Sequence, residues 1–249
     1  VHDHHRPQPT HTQDTTAKPY DGPSIELRLH EEVIDLVDAF RPTKRERALR
    51  TAAVANLTAI VRTLWKAARV HTFGSFDTGV FLPSSDVDLV VLNAGGASKP
   101  QQVAGLRQIE WALREKNVGH SLDLISKAKV PIVKYIDVET GVPVDVCLEQ
   151  KDGIVSSTFA KKALAKFPAF RHLTLLLTMW LRERGLNDTF TGGVGSFLLQ
   201  LLVVSTLQHP PRSNNPALRG NLGALVLHFF ETFGLRFNYS DVGLRVDQG

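Results

Sequence analysis

Regular spacing of apolar residues along the chain begins at Ser24. From Leu29 to Phe40 apolar residues recur at the spacing of one helical face, which predicts an amphipathic helix with Ser24 as its N-cap and Pro42 as its end. A second helix is predicted after Thr43, and its apolar face is formed by Leu49, Ala53, Leu57, Ile60 and Leu64.

Between residues 70 and 148 the pattern changes to the short apolar runs that are typical of strands. A helix is predicted at Gln101–Lys116, after the second strand. The predicted strands are Val70–Phe76, Val87–Leu92, Ser121–Ile125, Ile132–Ile136 and Val142–Leu148.

After Asp152 helical spacing returns and strand patterns stop. The predicted helices are Ile154–Lys166, Phe170–Arg184, Val194–Leu207 and Leu218–Phe233. This change of pattern predicts an α+β fold, with a small mixed sheet at residues 43–152 followed by a helical unit at residues 153–249.

The first 23 residues show no apolar periodicity. They hold four of the ten histidines and four prolines, and they bury too little apolar surface to offset the entropy of ordering. We expect a disordered leader at residues 1–23, in which nothing would hold the histidine rings in the fixed geometry of a metal site.

The composition is that of an ordinary globular protein. Hydrophobic residues make up 43% and charged residues 22% of the 249 residues, and no apolar run reaches the ~18 to 20 residues that cross a bilayer, so we expect no membrane span. The single cysteine, Cys147, has no partner for an internal disulfide, which favours a reducing compartment. The net charge of +4 is compatible with an anionic partner such as RNA or a nucleoside triphosphate.

Positive charge is concentrated at the start of the second helix, where only Glu46 opposes it. The basic residues are Arg41, Lys44, Arg45, Arg47 and Arg50. They form either a solvated helix face or a contact for phosphates, and the sequence leaves both interpretations open.

The chemically most informative segment runs from residue 73 to residue 91. It opens with Gly74-Ser75 at the end of the first predicted strand, a pair that can turn backbone N–H groups and a hydroxyl toward a phosphate. Asp86 and Asp88 then enter the second strand. Residues i and i+2 of a strand share a face, so these carboxylates should converge, and a hard divalent cation relieves their repulsion.

A third carboxylate is available in the last predicted strand. Its valines and Leu148 alternate onto one face, which leaves Asp145 on the other. If the two strands are neighbours, Asp145 joins Asp86 and Asp88. Such a triad can hold two Mg²⁺ or Mn²⁺ ions for the in-line displacement of a phosphoryl group.

An isolated Asp-x-Asp also occurs in solvated turns, in glycosyltransferases and in aspartyl phosphatases. The phosphatase pattern requires Thr where this chain has Val90. Gly-Ser followed by Asp-x-Asp and then by a lone Asp in an apolar strand is far more specific, and it favours the metal triad.

The chain from about Leu29 to Gly249 resembles the nuclear non-canonical poly(A) polymerases of the DNA polymerase β-like nucleotidyltransferase superfamily, the branch of TRAMP-type RNA surveillance complexes. Beyond the Gly-Ser to Asp-x-Asp segment, the resemblance rests on Leu29–Val33, Lys129–Lys134, Val144–Val146 and Leu186–Gly193.

The resemblance implies a nucleotidyltransferase catalytic domain at residues 43–152 and a helical central domain at residues 153–249. The helix at residues 24–42 would pack on the central domain, and ATP would lie in the cleft between the two domains. The family's nucleotide-recognition loop follows the point where this chain stops, so the resemblance also implies that the central domain is incomplete at its C-terminus.

Site residues follow from the resemblance position by position. Phe197 lies where the family stacks an aromatic ring on the base, although a core residue of an apolar helix is the other interpretation. The residues expected to hold the phosphates are Gly74, Ser75 and Ser196, and those expected to hold the metals are Asp86, Asp88 and Asp145.

Two positions depart from the family pattern. Thr178 replaces a lysine that meets the triphosphate, and Arg182, one turn further on, is the candidate that compensates for it. Asp152 replaces the usual asparagine and adds a negative charge near the triphosphate. Both changes predict weaker nucleotide affinity.

The resemblance implies a metal-dependent enzyme that adds adenylates from ATP to RNA 3′ ends. The first alternative is a terminal uridylyltransferase, and the second is a catalytically weak RNA-binding or scaffold subunit, which Thr178 and Asp152 favour. The implied partners are a zinc-knuckle RNA-binding protein and an RNA helicase, and the implied location is the nucleus, with the nucleolus as one candidate within it.

Overall fold

The computed structural model describes residues 20–212, 218 and 220–246. The expected disordered leader lies outside these residues except for its last four positions. The strands are β1 (Arg69–Phe73), β2 (Val87–Leu92), β3 (Gly119–Ile125), β4 (Ile132–Asp137) and β5 (Pro143–Leu148). The α-helices are α1 (Ile25–Ala39), α2 (Lys44–Leu64), α3 (Gly74–Thr78), α4 (Lys99–Glu115), α5 (Asp152–Lys166), α6 (Phe170–Glu183), α7 (Ser196–Gln208) and α8 (Leu222–Phe230), and a π-helical turn at Glu231–Arg236 follows α8.

The five strands form one mixed sheet in the order β1-β2-β5-β4-β3. The central strands β2 and β5 run parallel, and the other neighbours are antiparallel. One face of the sheet is apolar, because alternate residues of β2 and β5 pack against α2 and α4. The predicted α+β fold with a small mixed sheet is confirmed.

A second apolar core lies among α1 and the helices that follow the sheet. Phe170, Leu173 and Leu177 of α6 are fully buried in it, together with side chains of α7 and α8. The loop of residues 79–85 also contributes, since Val80 and Leu82 pack into this second core. The loop that leads into β2 is therefore anchored on the helices.

The helix starts follow the capping residues of the sequence. The Ser24 hydroxyl accepts a hydrogen bond from the Leu27 amide, as predicted, and Thr43 forms a capping box with Glu46. Ser24 and Thr43 thus fix where α1 and α2 begin.

Helix α1 packs against α6 and α8 rather than against the sheet. Val33 and Val37 are buried in this contact, and the Leu222 amide donates to His30 Nδ1 at 3.0 Å. Whether the helices and the sheet are separate domains stays a prediction. Among the described residues no helix combines the length and apolarity needed to cross a membrane.

The largest differences from the predicted bounds lie in two elements. The first strand does not reach Phe76, because β1 ends at Phe73 and the positive φ of Gly74 (+69°) starts the short helix α3. The last helix does not begin at Leu218. It starts at Leu222 after Asn221, whose side chain caps the Ala224 amide at 2.9 Å.

Candidate active site

The three predicted carboxylates lie together on the face of the sheet opposite α2 and α4. In the parallel register of β2 and β5, Asp88 is directly opposite Asp145, and Asp86 lies just before β2. Each of the three offers a carboxylate oxygen, and these oxygens lie within 4.8 Å of one another. The structure thus brings the predicted triad together, and its role stays a prediction.

The triad carries more negative charge than its surroundings neutralise. Burial, and then the charges of Asp86 and Asp145, raise the pKa of Asp88 to about 8. Burial also raises the pKa of Asp145, against the hydrogen bond that Asp145 accepts from Lys134. Within the described part of the chain, Lys134 attracts all three carboxylates and Arg50 attracts Asp86, so the carboxylates outnumber these two cations.

This donor set fits divalent cations. Hard cations such as Mg²⁺ and Mn²⁺ take oxygen ligands, and carboxylates that share a buried site are stabilised by a cation between them. The three half-buried carboxylates meet both conditions. The residues that would hold the ions are Asp86, Asp88 and Asp145.

Lys134 is a site residue that the sequence interpretation missed. It lies opposite Asp145 in the antiparallel pair of β4 and β5 and forms an ion pair with it. Burial opposes the charged form, but the hydrogen bond to Asp145 and the three carboxylate charges leave the pKa of Lys134 raised. The sequence predicts the strand at Ile132–Ile136 but not which strand it pairs with, so the position of Lys134 opposite Asp145 could not be read from the sequence.

Gly74 connects the triad to helix α5. Its amide donates to Ser157 Oγ at 2.8 Å, and a Cβ at this position would overlap the Asp88 carboxylate. The amide that we expected to face a triphosphate is thus satisfied by Ser157, a buried residue that sequence reasoning did not single out. Ser75 is half-buried in the first turn of α3.

The loop before Asp86 is held by arginines from two helices. Arg50 is buried and donates to Pro83 O at 2.6 Å and to Ser85 O at 2.8 Å. For Arg50 neither a solvated face nor a phosphate contact is correct. The burial of Arg50 could have been predicted from the sequence, because Arg50 falls on the same helical face as the apolar residues Ala53 and Leu57.

Arg182 reaches the same loop from α6, since its guanidinium donates to Ser84 Oγ at 3.1 Å. Thr178 lies one turn earlier on the same helical face, half-buried, and its hydroxyl donates to Thr174 O at 2.7 Å. Arg182 is therefore a cation of α6 that contacts the Asp86 loop directly before Ser85.

The remaining predicted residues lie at helix starts. Ser196 and Phe197 open α7 and are exposed, and the Phe197 ring meets the Phe159 ring edge-on at 5.6 Å between centroids. Phe197 is 42% exposed, so the core interpretation does not hold. Its role in base stacking stays a prediction. Asp152 is exposed in the first turn of α5.

Comparisons with known proteins decide the family. Residues 29–161 match the family model described as the central palm domain of mitochondrial-like poly(A) RNA polymerase. The solved polymerase core of TRAMP, an RNA surveillance complex, superposes with a TM-score of 0.83 at 32% identity, over 93% of this chain and 72% of that one. The chain belongs to the non-canonical poly(A) RNA polymerases.

Curated relatives agree with this family and are much longer than the chain. Poly(A) RNA polymerase protein 2 of Saccharomyces cerevisiae is 34% identical over 220 residues, which cover 88% of this chain and 37% of the relative. The inactive poly(A) RNA polymerase protein Trf4-2 of Drosophila melanogaster is 31% identical, with 88% of this chain and 54% of the relative covered. The chain thus spans about a third of the first relative and about half of the second.

Proposed function

We propose that the chain contains the catalytic core of a template-independent RNA 3′-adenylyltransferase that uses ATP and two divalent metal ions. The observation that carries this proposal is the convergence of Asp88 and Asp145 on two parallel strands with Asp86, which lies just before the first of them, in a poly(A) polymerase fold. The names of the relatives support adenylate as the transferred group.

The triad and Lys134 have different roles in the proposed transfer reaction. When bound by the three aspartates, the metal ions supply the positive charge that favours an ionised 3′-hydroxyl and a leaving pyrophosphate. Asp145 is the group that receives the proton of the RNA 3′-hydroxyl. Lys134 holds the Asp145 carboxylate in place through their ion pair.

The triphosphate would lie against the turn at Gly74 and Ser75 and against Arg182. Arg182 already lies beside the Asp86 loop, and a guanidinium matches the oxygens of a phosphate bidentately. Ser196 would contact a phosphate from the start of α7, and Phe197 would stack on the base. The exposure of both residues leaves them accessible to a nucleotide.

We further propose that the metal is Mg²⁺ or Mn²⁺ and that the polymerase acts in the nucleus, with a zinc-knuckle RNA-binding protein and an RNA helicase as partners. Support comes from the oxygen-only donor set and from the similarity to the TRAMP polymerase core.

A catalytically weak RNA-binding subunit is the second candidate. It is favoured by Thr178, which offers no charge to a triphosphate, and by the 31% identity to a relative that is named inactive. The intact triad favours the enzyme instead.

The test is extension of labelled oligo(A) RNA with Mg²⁺ or Mn²⁺ and each of the four nucleoside triphosphates in separate reactions. Asp145→Ala serves as the matched inactive control. Extension with ATP alone supports the proposal, and extension with UTP alone identifies a uridylyltransferase. RNA binding without any extension identifies the weak subunit.

A further inference from the structure

Two arginines from distant parts of the chain meet beside the loop of residues 79–85. Arg47 lies in the first turn of α2 and Arg171 in the first turn of α6. Arg47 Nη1 and Arg171 Nη2 lie 3.9 Å and 4.0 Å from the point that a Cβ on Gly79 would occupy. The two guanidinium groups are therefore separated by no more than about 8 Å.

Both guanidinium groups are held in place by the loop. Arg171 Nη1 donates to Gly79 O at 2.6 Å, and Arg47 lies over the Phe81 ring, 5.0 Å from its centroid. These contacts restrain both groups before any ligand arrives, which lowers the entropy cost of binding one.

A third arginine adds to this positive charge. Burial, and then the charges of Arg47 and Arg41, lower the pKa of Arg171, so both of these arginines lie close enough to repel Arg171. We call Arg41, Arg47 and Arg171 the arginine cluster. Lys44 and Arg45 extend it along the start of α2, where both are exposed.

Carboxylates near the arginine cluster neutralise it only in part. Asp38 pairs with Arg41 at 3.6 Å, and both side chains are more than half exposed. Glu46 caps the Thr43 amide and hydroxyl. Within the part of the chain that the structure describes, no carboxylate forms an ion pair with Arg47 or Arg171.

The arginine cluster contributes little to the stability of the fold. Like charges repel, and cations at the start of a helix meet the positive end of the helix dipole. An anion placed between the guanidinium groups would reduce both the repulsion between them and their unfavourable interaction with the helix dipole. A phosphate diester offers the oxygen geometry that guanidinium groups match.

The position of the cluster points to the anion. Arg50 follows Arg47 by three residues, which is roughly 4.5 Å along the helix, and contacts Ser85 O, directly before Asp86. The cluster thus borders the loop that carries the triad, and a strand whose 3′ end reaches the triad can cross it.

We propose that the arginine cluster binds the phosphodiester backbone of the RNA strand a few nucleotides upstream of the 3′ end. The proposal rests on the proposed function for the identity of the strand. The contact is to phosphates, so it favours no base sequence.

The experiment is titration of fluorescently labelled oligo(A) RNA with the chain, read by polarisation without nucleotide or divalent metal. The cluster variant is Arg41→Gln/Arg47→Gln, which leaves the Arg171 bond to Gly79 O intact. The control variant is Arg107→Gln/Arg114→Gln, which removes two exposed charges from α4. Thermal unfolding of both variants checks folding.

The cluster variant should bind 15-nucleotide RNA at least tenfold more weakly at low salt, and its slope of log K against log salt should fall by about 0.7 per arginine. The control should change affinity less than twofold. The defect should shrink as the RNA is shortened to four nucleotides, because we expect so short a strand to occupy the triad without reaching the cluster.

Equal losses in the two variants, or none in the cluster variant, would overturn the proposal. Tighter binding of polyglutamate than of RNA, lost in the cluster variant, would assign the surface to an acidic protein and also overturn it. Because no extension is measured, a chain without transferase activity can still pass or fail this test.

Discussion

Replacement of Gly74 by alanine should damage the candidate metal site more than it damages the fold. Gly74 has φ +69°, and a Cβ there would lie 3.1 Å from Asp88 Cγ and closer still to Oδ2. Its amide is held by Ser157, so the turn cannot easily move away. The Asp88 carboxylate must therefore leave its place.

The cost has two parts that a control variant separates. A non-glycine residue in the left-handed region costs about 1 to 2 kcal/mol, and overpacking adds about 1 to 3 kcal/mol. Gly141 has the same φ of +69°, and a Cβ there meets nothing within 4 Å. In Gly141→Ala the free energy of unfolding should therefore fall only by the cost of the left-handed backbone. In Gly74→Ala it should fall by this cost and by the cost of overpacking.

The assay is urea unfolding of both variants with and without Mn²⁺. At 100 times its Kd, a ligand that binds only the folded state adds about 2.7 kcal/mol to the free energy of unfolding. Gly141→Ala should gain this amount, and Gly74→Ala less than about 1 kcal/mol. An equal gain in the two variants would refute the argument that Gly74 places Asp88 as a metal ligand.

Three further outcomes are expected. Ser157→Ala leaves the half-buried Gly74 amide without its partner and should lower the free energy of unfolding by about 1 to 3 kcal/mol. Ser156→Ala, whose hydroxyl bonds to its own helix, should change it far less, and urea unfolding distinguishes the two variants. Thr178→Lys should lower the KM for ATP by about fivefold, which corresponds to ~1 kcal/mol for a partly solvated charge pair. An unchanged KM in steady-state extension would show that Arg182 already supplies the positive charge that meets the triphosphate. Because the folded pKa of Asp88 is raised to about 8, the metal-free chain should lose stability as pH rises from about 4 to 8, and Asp88→Asn should flatten that slope in unfolding measured across this range.

The triad could be predicted from the sequence because it depends on local periodicity. Alternation within β5 sets the face of Asp145, and the buried apolar run sets the bounds of β2, which match the prediction. The end of β1 could not be predicted, since Phe76 continues the apolar pattern while Gly74 turns the backbone. The backbone conformation prevailed over the side-chain pattern there.

Contacts between distant segments could not be read from the sequence. Arg171 and Gly79 are 92 positions apart, and Gly74 and Ser157 are 83 apart, so only the packing of α5 and α6 against the loop brings them together. The same packing separates Arg50, which is buried under the loop, from Arg47, which stays exposed. The charge pattern alone did not distinguish these two arginines.

The most direct test of the central claim is the single-turnover rate of adenylate addition by the wild-type chain, by Asp86→Ala, Asp88→Ala and Asp145→Ala, and by the triple variant. If the three carboxylates act as one metal-binding unit, each single change should reduce the rate nearly as far as the triple change does, with folding retained in thermal unfolding. A rate above a few per cent of wild type in Asp145→Ala would contradict the account, because the residue opposite Asp88 would then not belong to the site.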